Sequence, residues 1–330
     1  MSPRATCARQ IGGMQMGFGF NPRMVRAAAA LMLAAPTAFA GLIITPTFTA
    51  NFTSSFGANS AAAQLAWIAA ANQYSANFTD NIHVNITVDA VAGTSVFGQS
   101  SPLLVSISYA NLRSRLVADS TTANDAAGLG AGGSIAAADP LSGAHSYWLT
   151  RAQAKALGFV ADDLAADGAV AFGAGNAFTF SGAIASGTYD FQGVVLHEIS
   201  EVLGRLGLGG ATVGNNANSY SLLDLFSFTG AGVRNMGDGA GIYYSVNNGS
   251  TLIKLYNNAL SNGFDSRDWA SGTNDAFNQF AASGVVNGLS AVDLQVMDSL
   301  GYNAAPVPLP GAFGLLASGL AFGLHRRRRA

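Results

Sequence analysis

The chain has 330 residues, of which 49% are apolar and only 10% charged, and its formal net charge is −2. Eight of the sixteen basic residues lie near the two ends, so residues 41–305 hold eight basic and all eighteen acidic residues, a formal charge of −10. A central region this acidic excludes nucleic acid as an expected partner.

The first forty residues have the pattern of a signal peptide. Four arginines lie between residues 4 and 26, Ala27 to Phe39 is an apolar run, and Ala38-Phe39-Ala40 fits the small-x-small cleavage pattern. The only cysteine, Cys7, lies in this segment, so no disulfide is expected in the exported protein. Residues 1–40 are therefore predicted to direct export and to be removed.

The central region alternates between helical and strand patterns. Apolar periodicity and capping residues predict helices at 60–77, 110–117, 150–158 and 190–205, and a last helix that begins after Ser290 and ends at Gly301. Strands are expected at 82–89, 102–107 and 146–149, a hairpin at 168–180 and another around 247–249, with a Gly/Ala-rich loop at 123–138. This order predicts an α+β protein in two parts, 48–207 and 208–303, with a cleft between them.

The helix predicted at 190–205 carries the most informative segment, Gly193 to Arg205. His197 and Glu201 are spaced i, i+4, so both side chains can reach one metal ion from the same helix face. Glu198 lies one step round the helix, where it can act as a general base on water without binding the metal. Sixteen of the eighteen acidic residues are Asp, and the only two glutamates of the chain stand beside this histidine. That placement favours a metal site over a scatter of surface charges.

The same helix resembles the active-site helix of zincin metallopeptidases. Their HExxHxxG motif is matched by His197, Glu198 and Gly204, with Glu201 at the second histidine position. The run HEISEVLGR, the segment Leu223-Asp224-Leu225-Phe226 and the terminal segment 290–302 are similar to metalloproteases that carry PEP-CTERM tails. The resemblance implies a zincin-like α+β fold, bound zinc and hydrolysis of peptide substrates, with Glu198 as catalytic residue.

The third metal ligand is open at the level of sequence. The position of the metzincin third ligand is occupied by Gly207, which has no side chain to offer. Asp224 is the first candidate because it lies in an apolar run expected across the cleft, and His145 is the second. Glu201 is also spaced i, i+4 from Arg205, so a simple ion pair on the helix surface is the alternative to a metal ligand.

The C-terminal residues 306–330 resemble a PEP-CTERM sorting signal. Val307-Pro308-Leu309-Pro310 precedes an apolar stretch, 311–324, and a cluster of four arginines, 326–329. The resemblance implies transient membrane contact, cleavage by a sorting enzyme of the exosortase type, and display on or release from the surface of a Gram-negative cell. A plain C-terminal anchor is the alternative.

Together these features predict an exported, surface-sorted zinc endopeptidase. The competing hypotheses are a non-catalytic surface or matrix protein, in which the HEISE segment is only an amphipathic helix, and an inactive protease homologue that still binds metal. Metal content separates the endopeptidase from the surface protein, and digestion of peptides separates it from the inactive homologue.

Overall fold

A computed structural model describes residues 41–263, 265–270 and 274–306. The predicted signal peptide, residues 1–40, and residues 307–330 of the predicted sorting signal lie outside the described residues. No helix within these ranges is long and apolar enough to cross a membrane.

Eight α-helices and fourteen strands occur in the described ranges. The helices are α1 (Ala50–Phe56), α2 (Ser60–Asn77), α3 (Tyr109–Asp119), α4 (Ala123–Leu129), α5 (Arg151–Ala156), α6 (Phe191–Val202), α7 (Ala259–Asn262) and α8 (Ala291–Ser299). The strands are β1 (Ile43–Phe48), β2 (His83–Val91), β3 (Gly98–Pro102), β4 (Leu104–Ile107), β5 (Ser146–Thr150), β6 (Ala166–Gly173), β7 (Phe178–Thr179), β8 (Tyr189–Asp190), β9 (Ala211–Val213), β10 (Asn216–Ser221), β11 (Ser227–Gly230), β12 (Val233–Arg234), β13 (Tyr243–Tyr244) and β14 (Lys254–Leu255). The mixture confirms the predicted α+β class.

The first sheet has the strand order β1-β2-β6-β3. Strands β1, β2 and β6 are parallel, and β3 pairs with β6 in the antiparallel direction at the edge of the sheet. Along β2 every second side chain is buried, from Val84 to Ala90, as the alternating pattern predicts. Helix α2 packs against α6 and β1, and α6 packs against β3 and β6, so the edge strand and the HEISE helix are direct neighbours.

The second sheet, β4-β5-β10-β9, joins the two halves of the chain. Strand β10 pairs in parallel with β5, Ser219 opposite Ser146 and Ser221 opposite Trp148. This pairing crosses the predicted boundary between residues 207 and 208, and the division of the chain at that position stays a prediction. A third sheet, β12-β11-β13-β14, is antiparallel, and its β13–β14 hairpin encloses the turn predicted around residues 247–249.

Capping chemistry explains where several helices begin. Thr150 accepts a hydrogen bond from the Gln153 amide at the start of α5, and Ser290 forms a capping box with Asp293 at the start of α8. Both caps confirm the sequence prediction. Helix α4 lies in the segment predicted to be a loop, because the Thr122–Asp125 capping box starts a helix among residues of low helical periodicity.

The hairpin predicted at 168–180 is wrong. Strand β6 pairs with β2 and β3, whereas β7 pairs with β8. The glycine-rich turn after β6 is present, but the chain leaves it for a different sheet because β3 already occupies the free edge of β6.

Candidate metal centre

A cleft of about 600 Å³ lies between the edge strand β3 and helix α6. Residues 94–100 form one wall, α6 forms the floor, and parts of the segment 265–287 form the opposite wall. All three residues predicted on the helix, His197, Glu198 and Glu201, line this cleft.

Helix α6 is held by burial along nearly its whole length. Apolar periodicity predicts one stripe of Val195, Ile199, Val202 and Leu206; the first three are fully buried and Leu206, beyond the end of α6, is half-buried. The Tyr74 hydroxyl donates to the Leu196 carbonyl oxygen at 2.7 Å. The chain turns away after α6 at Gly204, whose φ of +116° suits glycine. The Gln153 side chain packs closely on Gly204, 2.9 Å from where a Cβ would stand.

The imidazole of His197 is oriented by a backbone carbonyl. Its Nδ1 lies 2.9 Å from the Ala276 oxygen, which can only accept, so Nδ1 carries the hydrogen. In the neutral ring Nε2 then keeps a free lone pair for a metal, the arrangement that outer hydrogen bonds give to metal-binding histidines. Nε2 lies 3.4 Å from Glu201 Oε1 and 3.5 Å from Asp268 Oδ1.

Asp268 lies in a loop that its neighbour Trp269 fixes. The Trp269 indole is buried, stacks on the Tyr256 ring at 5.2 Å, and donates to Asp293 Oδ1 at 2.7 Å. The Trp269 amide also donates to the Phe277 carbonyl oxygen at 2.8 Å. These contacts place the Asp268 carboxylate opposite α6 before any ligand binds.

His197, Glu201 and Asp268 form the group that could hold a metal ion among the described residues. One ligand atom from each lies within 4.8 Å of the others. The structure therefore brings the two residues predicted on the helix together with a third carboxyl group, that of Asp268.

Asp224, the first candidate for the third ligand, is used elsewhere. Its carboxylate is fully buried, accepts from the Ser221 amide at 2.8 Å and the Leu208 amide at 3.0 Å, and pairs with Arg267 at 2.7 Å. It stabilises the turn that leads into the 3-10 helix at 223–226 and is not part of the metal-binding group.

His145, the second candidate, is also outside the group. Its Nε2 pairs with Asp139 at 2.9 Å and its Nδ1 contacts the Gly143 carbonyl oxygen at 2.8 Å. It lies at the start of β5, away from the cleft.

The ion pair between Glu201 and Arg205 exists, but it is buried. Arg205 Nη2 lies 3.3 Å from Glu201 Oε1, and the Arg205 side chain is 1% exposed. Glu201 also accepts from Ser100 Oγ of β3 at 2.7 Å. Glu201 is thus held from three sides by Arg205, Ser100 and His197. It does not lie on a solvated helix surface.

Glu198 is the third predicted helix residue that lines the cleft, and its carboxyl group is buried. It lines the cleft but is 5% exposed, and its Oε2 has no hydrogen-bond partner among the described residues. Burial raises the pKa of Glu198 well above its usual range, and the charge of Glu201 adds to the rise. Gly98 of β3 lies directly above it, where a Cβ would overlap the Glu198 carboxylate.

The ionisation states of His197, Glu201 and Asp268 depend on one another. Burial opposes the charged form of His197, yet the Asp268 and Glu201 carboxylates raise its pKa to about 9. Burial opposes the ionisation of Glu201, but the hydrogen bond and charge of His197 lower its pKa to about 2. The raised pKa of His197 favours its protonated form beside the carboxyl groups of Glu201 and Asp268. A metal ion would replace that proton, because a histidine ligand must be neutral.

Sequence reasoning missed Asp268, Gly98 and Ser100. Asp268 lies far along the chain, and its one local signal is the charged pair Arg267-Asp268 beside one of the three tryptophans. Gly98 and Ser100 lie in a strand without apolar alternation. Comparison of the chain with protein-family models, curated proteins and solved structures found no match.

Proposed function

We propose that the protein is a zinc-dependent endopeptidase of zincin-like architecture. His197, Glu201 and Asp268 are the zinc ligands and Glu198 is the general base. The observation that carries the proposal is that one ligand atom from each of these three residues lies within 4.8 Å of the others, and that two of the three residues are on the helix that also carries Glu198.

The spacing fits zinc. Ligands at zinc bond lengths around a tetrahedral ion are separated by about 3.3–3.4 Å. His197 Nε2 lies 3.4 Å from the Glu201 oxygen and 3.5 Å from the Asp268 oxygen. One imidazole and two carboxylates are donors that zinc accepts, and the cleft leaves a side open for water and substrate, as catalytic sites require.

The chain's own residues would perform the proton transfers. Zinc, when bound, would polarise the scissile carbonyl and acidify a water molecule. Glu198 would accept the proton of the attacking water and pass it to the leaving amine. A nearby cation favours the ionised form of Glu198 that this step needs, which offsets the effect of its burial.

The edge strand supports a peptide as the substrate. Among the residues that the structure describes, strand β3 pairs with β6 at the edge of its sheet, and it forms a wall of the cleft beside Glu198. An extended peptide that lies along an open strand edge gains backbone hydrogen bonds whatever its side chains. Such a peptide would cross the cleft above His197 and Glu198.

Export and surface sorting belong to the same proposal. They rest on the signal pattern of residues 1–40 and on the PEP-CTERM-like tail at 306–330, with an exosortase-type enzyme as the processing partner. A protein sorted in this way would meet peptide substrates outside the cell.

The test is metal analysis and peptide digestion with single variants. The purified protein should carry about one zinc per chain, the stoichiometry of a mononuclear site. His197→Ala should lose the zinc, whereas His145→Ala, a histidine outside the cleft, should keep it. Glu198→Gln should keep the zinc and cut peptides about 10²–10⁴-fold more slowly.

The outcomes separate the alternatives. Equal zinc content in the wild type and in His197→Ala would refute the metal site and leave the non-catalytic surface protein as the remaining hypothesis. Zinc that depends on His197, without cleavage of any peptide in a random library, would leave the inactive homologue. Loss of zinc in Glu198→Gln would make Glu198 a ligand and remove the proposed base.

A further inference from the structure

Arg205 contacts both carboxylates of the metal-binding group. Its Nη1 donates to Asp268 Oδ1 at 2.5 Å, and its Nη2 lies 3.3 Å from Glu201 Oε1. These are the same two oxygens that face His197 Nε2. A carboxylate oxygen has two lone pairs, so each can accept from the guanidinium and still offer one lone pair to a metal.

The guanidinium is fixed from its other sides as well. Nε donates to Ser200 Oγ at 2.6 Å, and the group lies over the Phe277 ring at 4.6 Å. The side chain is 1% exposed. A buried, stacked and hydrogen-bonded guanidinium keeps its charge at every physiological pH. Arg205 is therefore a permanent part of the site.

The charge of Arg205 changes the net charge of the proposed metal site. One neutral imidazole and two carboxylates would cancel the charge of a divalent ion completely. With Arg205 beside them the sum is one positive charge, the same as for the two-histidine, one-glutamate set of known catalytic zinc sites. Arg205 thus compensates for the second carboxylate.

We propose that Arg205 is a built-in counter-charge that makes the metal centre reversible. It holds Glu201 and Asp268 in place when no metal is bound, and it weakens the attraction of those carboxylates for the metal when one arrives. The inference rests on the proposed zinc site, and it concerns how tightly that site binds a divalent cation. It does not depend on which substrate is cut.

Arg267 provides a matched control. It is also 1% exposed, pairs with a buried carboxylate, Asp224, and lies over an aromatic ring, that of Tyr256, at 5.3 Å. Within the described residues Arg267 pairs with Asp224 and forms no ion pair with His197, Glu201 or Asp268. Removing its charge should cost stability for the same reasons as at Arg205, without the effect on the metal.

The experiment compares Arg205→Gln, Arg205→Lys and Arg267→Gln in the whole protein. Thermal unfolding is measured in chelator and with zinc, and the zinc dissociation constant by competition with a chromophoric chelator. Arg205→Gln should melt at a lower temperature than the wild type in chelator. It should nevertheless bind zinc at least about tenfold more tightly, because a unit positive charge next to the ion has gone. Its gain in melting temperature from zinc should exceed that of the wild type.

The other two variants complete the test. Arg205→Lys keeps the charge and should bind zinc within about threefold of the wild type, and Arg267→Gln should lose stability with the same small change in affinity. Weaker zinc binding in both Arg205 variants would show that Arg205 only positions the ligands and would overturn the inference. If Arg205→Gln does not fold, the zinc affinity of Arg205→Lys decides. An affinity near that of the wild type supports the counter-charge, and a weaker affinity shows that Arg205 positions the ligands. A wild type that binds no zinc would refute the proposed function itself.

Discussion

At the scale of single residues, the two buried aspartates Asp268 and Asp224 have different roles. Asp268 faces His197 at 3.5 Å, and Asp224 supports a turn and pairs with Arg267. The sequence makes Asp224 the first candidate for the third metal ligand, because it lies in an apolar run. In the structure this run packs in the core, and the carboxyl group that faces His197 comes from a loop residue instead.

Exchange of each aspartate for asparagine separates these roles. Asp268→Asn should lose zinc while the fold is kept, because a neutral amide is a poor replacement for a ligand carboxylate. Asp224→Asn should keep its zinc but lower the free energy of unfolding by about 3–5 kcal/mol, because it leaves the buried Arg267 charge unpaired. Zinc content by mass spectrometry and denaturant unfolding measure the two effects. The reverse pattern would restore Asp224 as the third ligand.

At the scale of elements, the neighbourhood of α6 and β3 shapes the site. Helix α6 was predictable, because its apolar stripe and its i, i+4 pair are local in sequence. Strand β3, Gly-Gln-Ser-Ser-Pro, was not, because none of its residues is an aliphatic strand former and its place is set by pairing with the distant β6. Its small residues are explained by the contact: Gly98 covers Glu198, and Ser100 donates to Glu201.

Gly98→Ala should therefore impair catalysis without disturbing the metal. The added methyl group overlaps the Glu198 carboxylate and must displace it from its position beside the ligands. Peptide cleavage should fall by about tenfold or more, since small misplacements of a catalytic group carry large costs. Zinc content should stay at the wild-type value. Ser101→Ala, on the exposed face of the same strand, is the control and should cleave normally. A Gly98→Ala protein of full activity would argue against Glu198 as the base.

At the scale of the whole molecule, the last described residues bind to the segment between α2 and β2 and to the end of α3. The Asn303 amide donates to Asp80 Oδ2 at 2.9 Å, and its side-chain Nδ2 donates to Asp119 Oδ1 at 3.0 Å. Burial raises the pKa of Asp80 and of Asp119 to about 6 in each case. The sequence could not predict this cluster of Asp80, Asp119 and Asn303, because its side chains come from three distant segments.

This cluster predicts how stability depends on pH. The folded pKa values lie above the ordinary value of 3.8, so the folded protein binds more protons than the unfolded chain between about pH 4 and 6. Stability from this cluster should fall as pH rises through that window and stay constant above it. Asp80→Asn should raise the free energy of unfolding at pH 7 by about 1–2 kcal/mol and flatten the slope between pH 4.5 and 6.5.

Asp89→Asn is the control with the opposite sign. Hydrogen bonds from Thr49 and Asn51 lower the pKa of Asp89, so its ionised form stabilises the folded protein. This variant should lose stability at neutral pH and should leave the slope between pH 4.5 and 6.5 unchanged. Denaturant unfolding across the pH range measures both variants. An Asp80→Asn protein with the wild-type slope would assign the pH dependence to other groups.

The attachment of residues 303–305 also has a consequence for the order of folding. The Thr79 amide donates to the Asn303 carbonyl oxygen at 2.8 Å, and the Ala305 amide donates to the Asn77 carbonyl oxygen at 2.7 Å. These contacts join the end of α2 to residues more than two hundred positions later, which is the kind of long loop closure that slows folding. A chain delivered from its N-terminus, by the ribosome or across a membrane, thus remains incomplete at this corner until residue 305 emerges. Asp268 also comes late in the chain, so the three proposed metal ligands meet in the cleft only after most of the chain has been delivered.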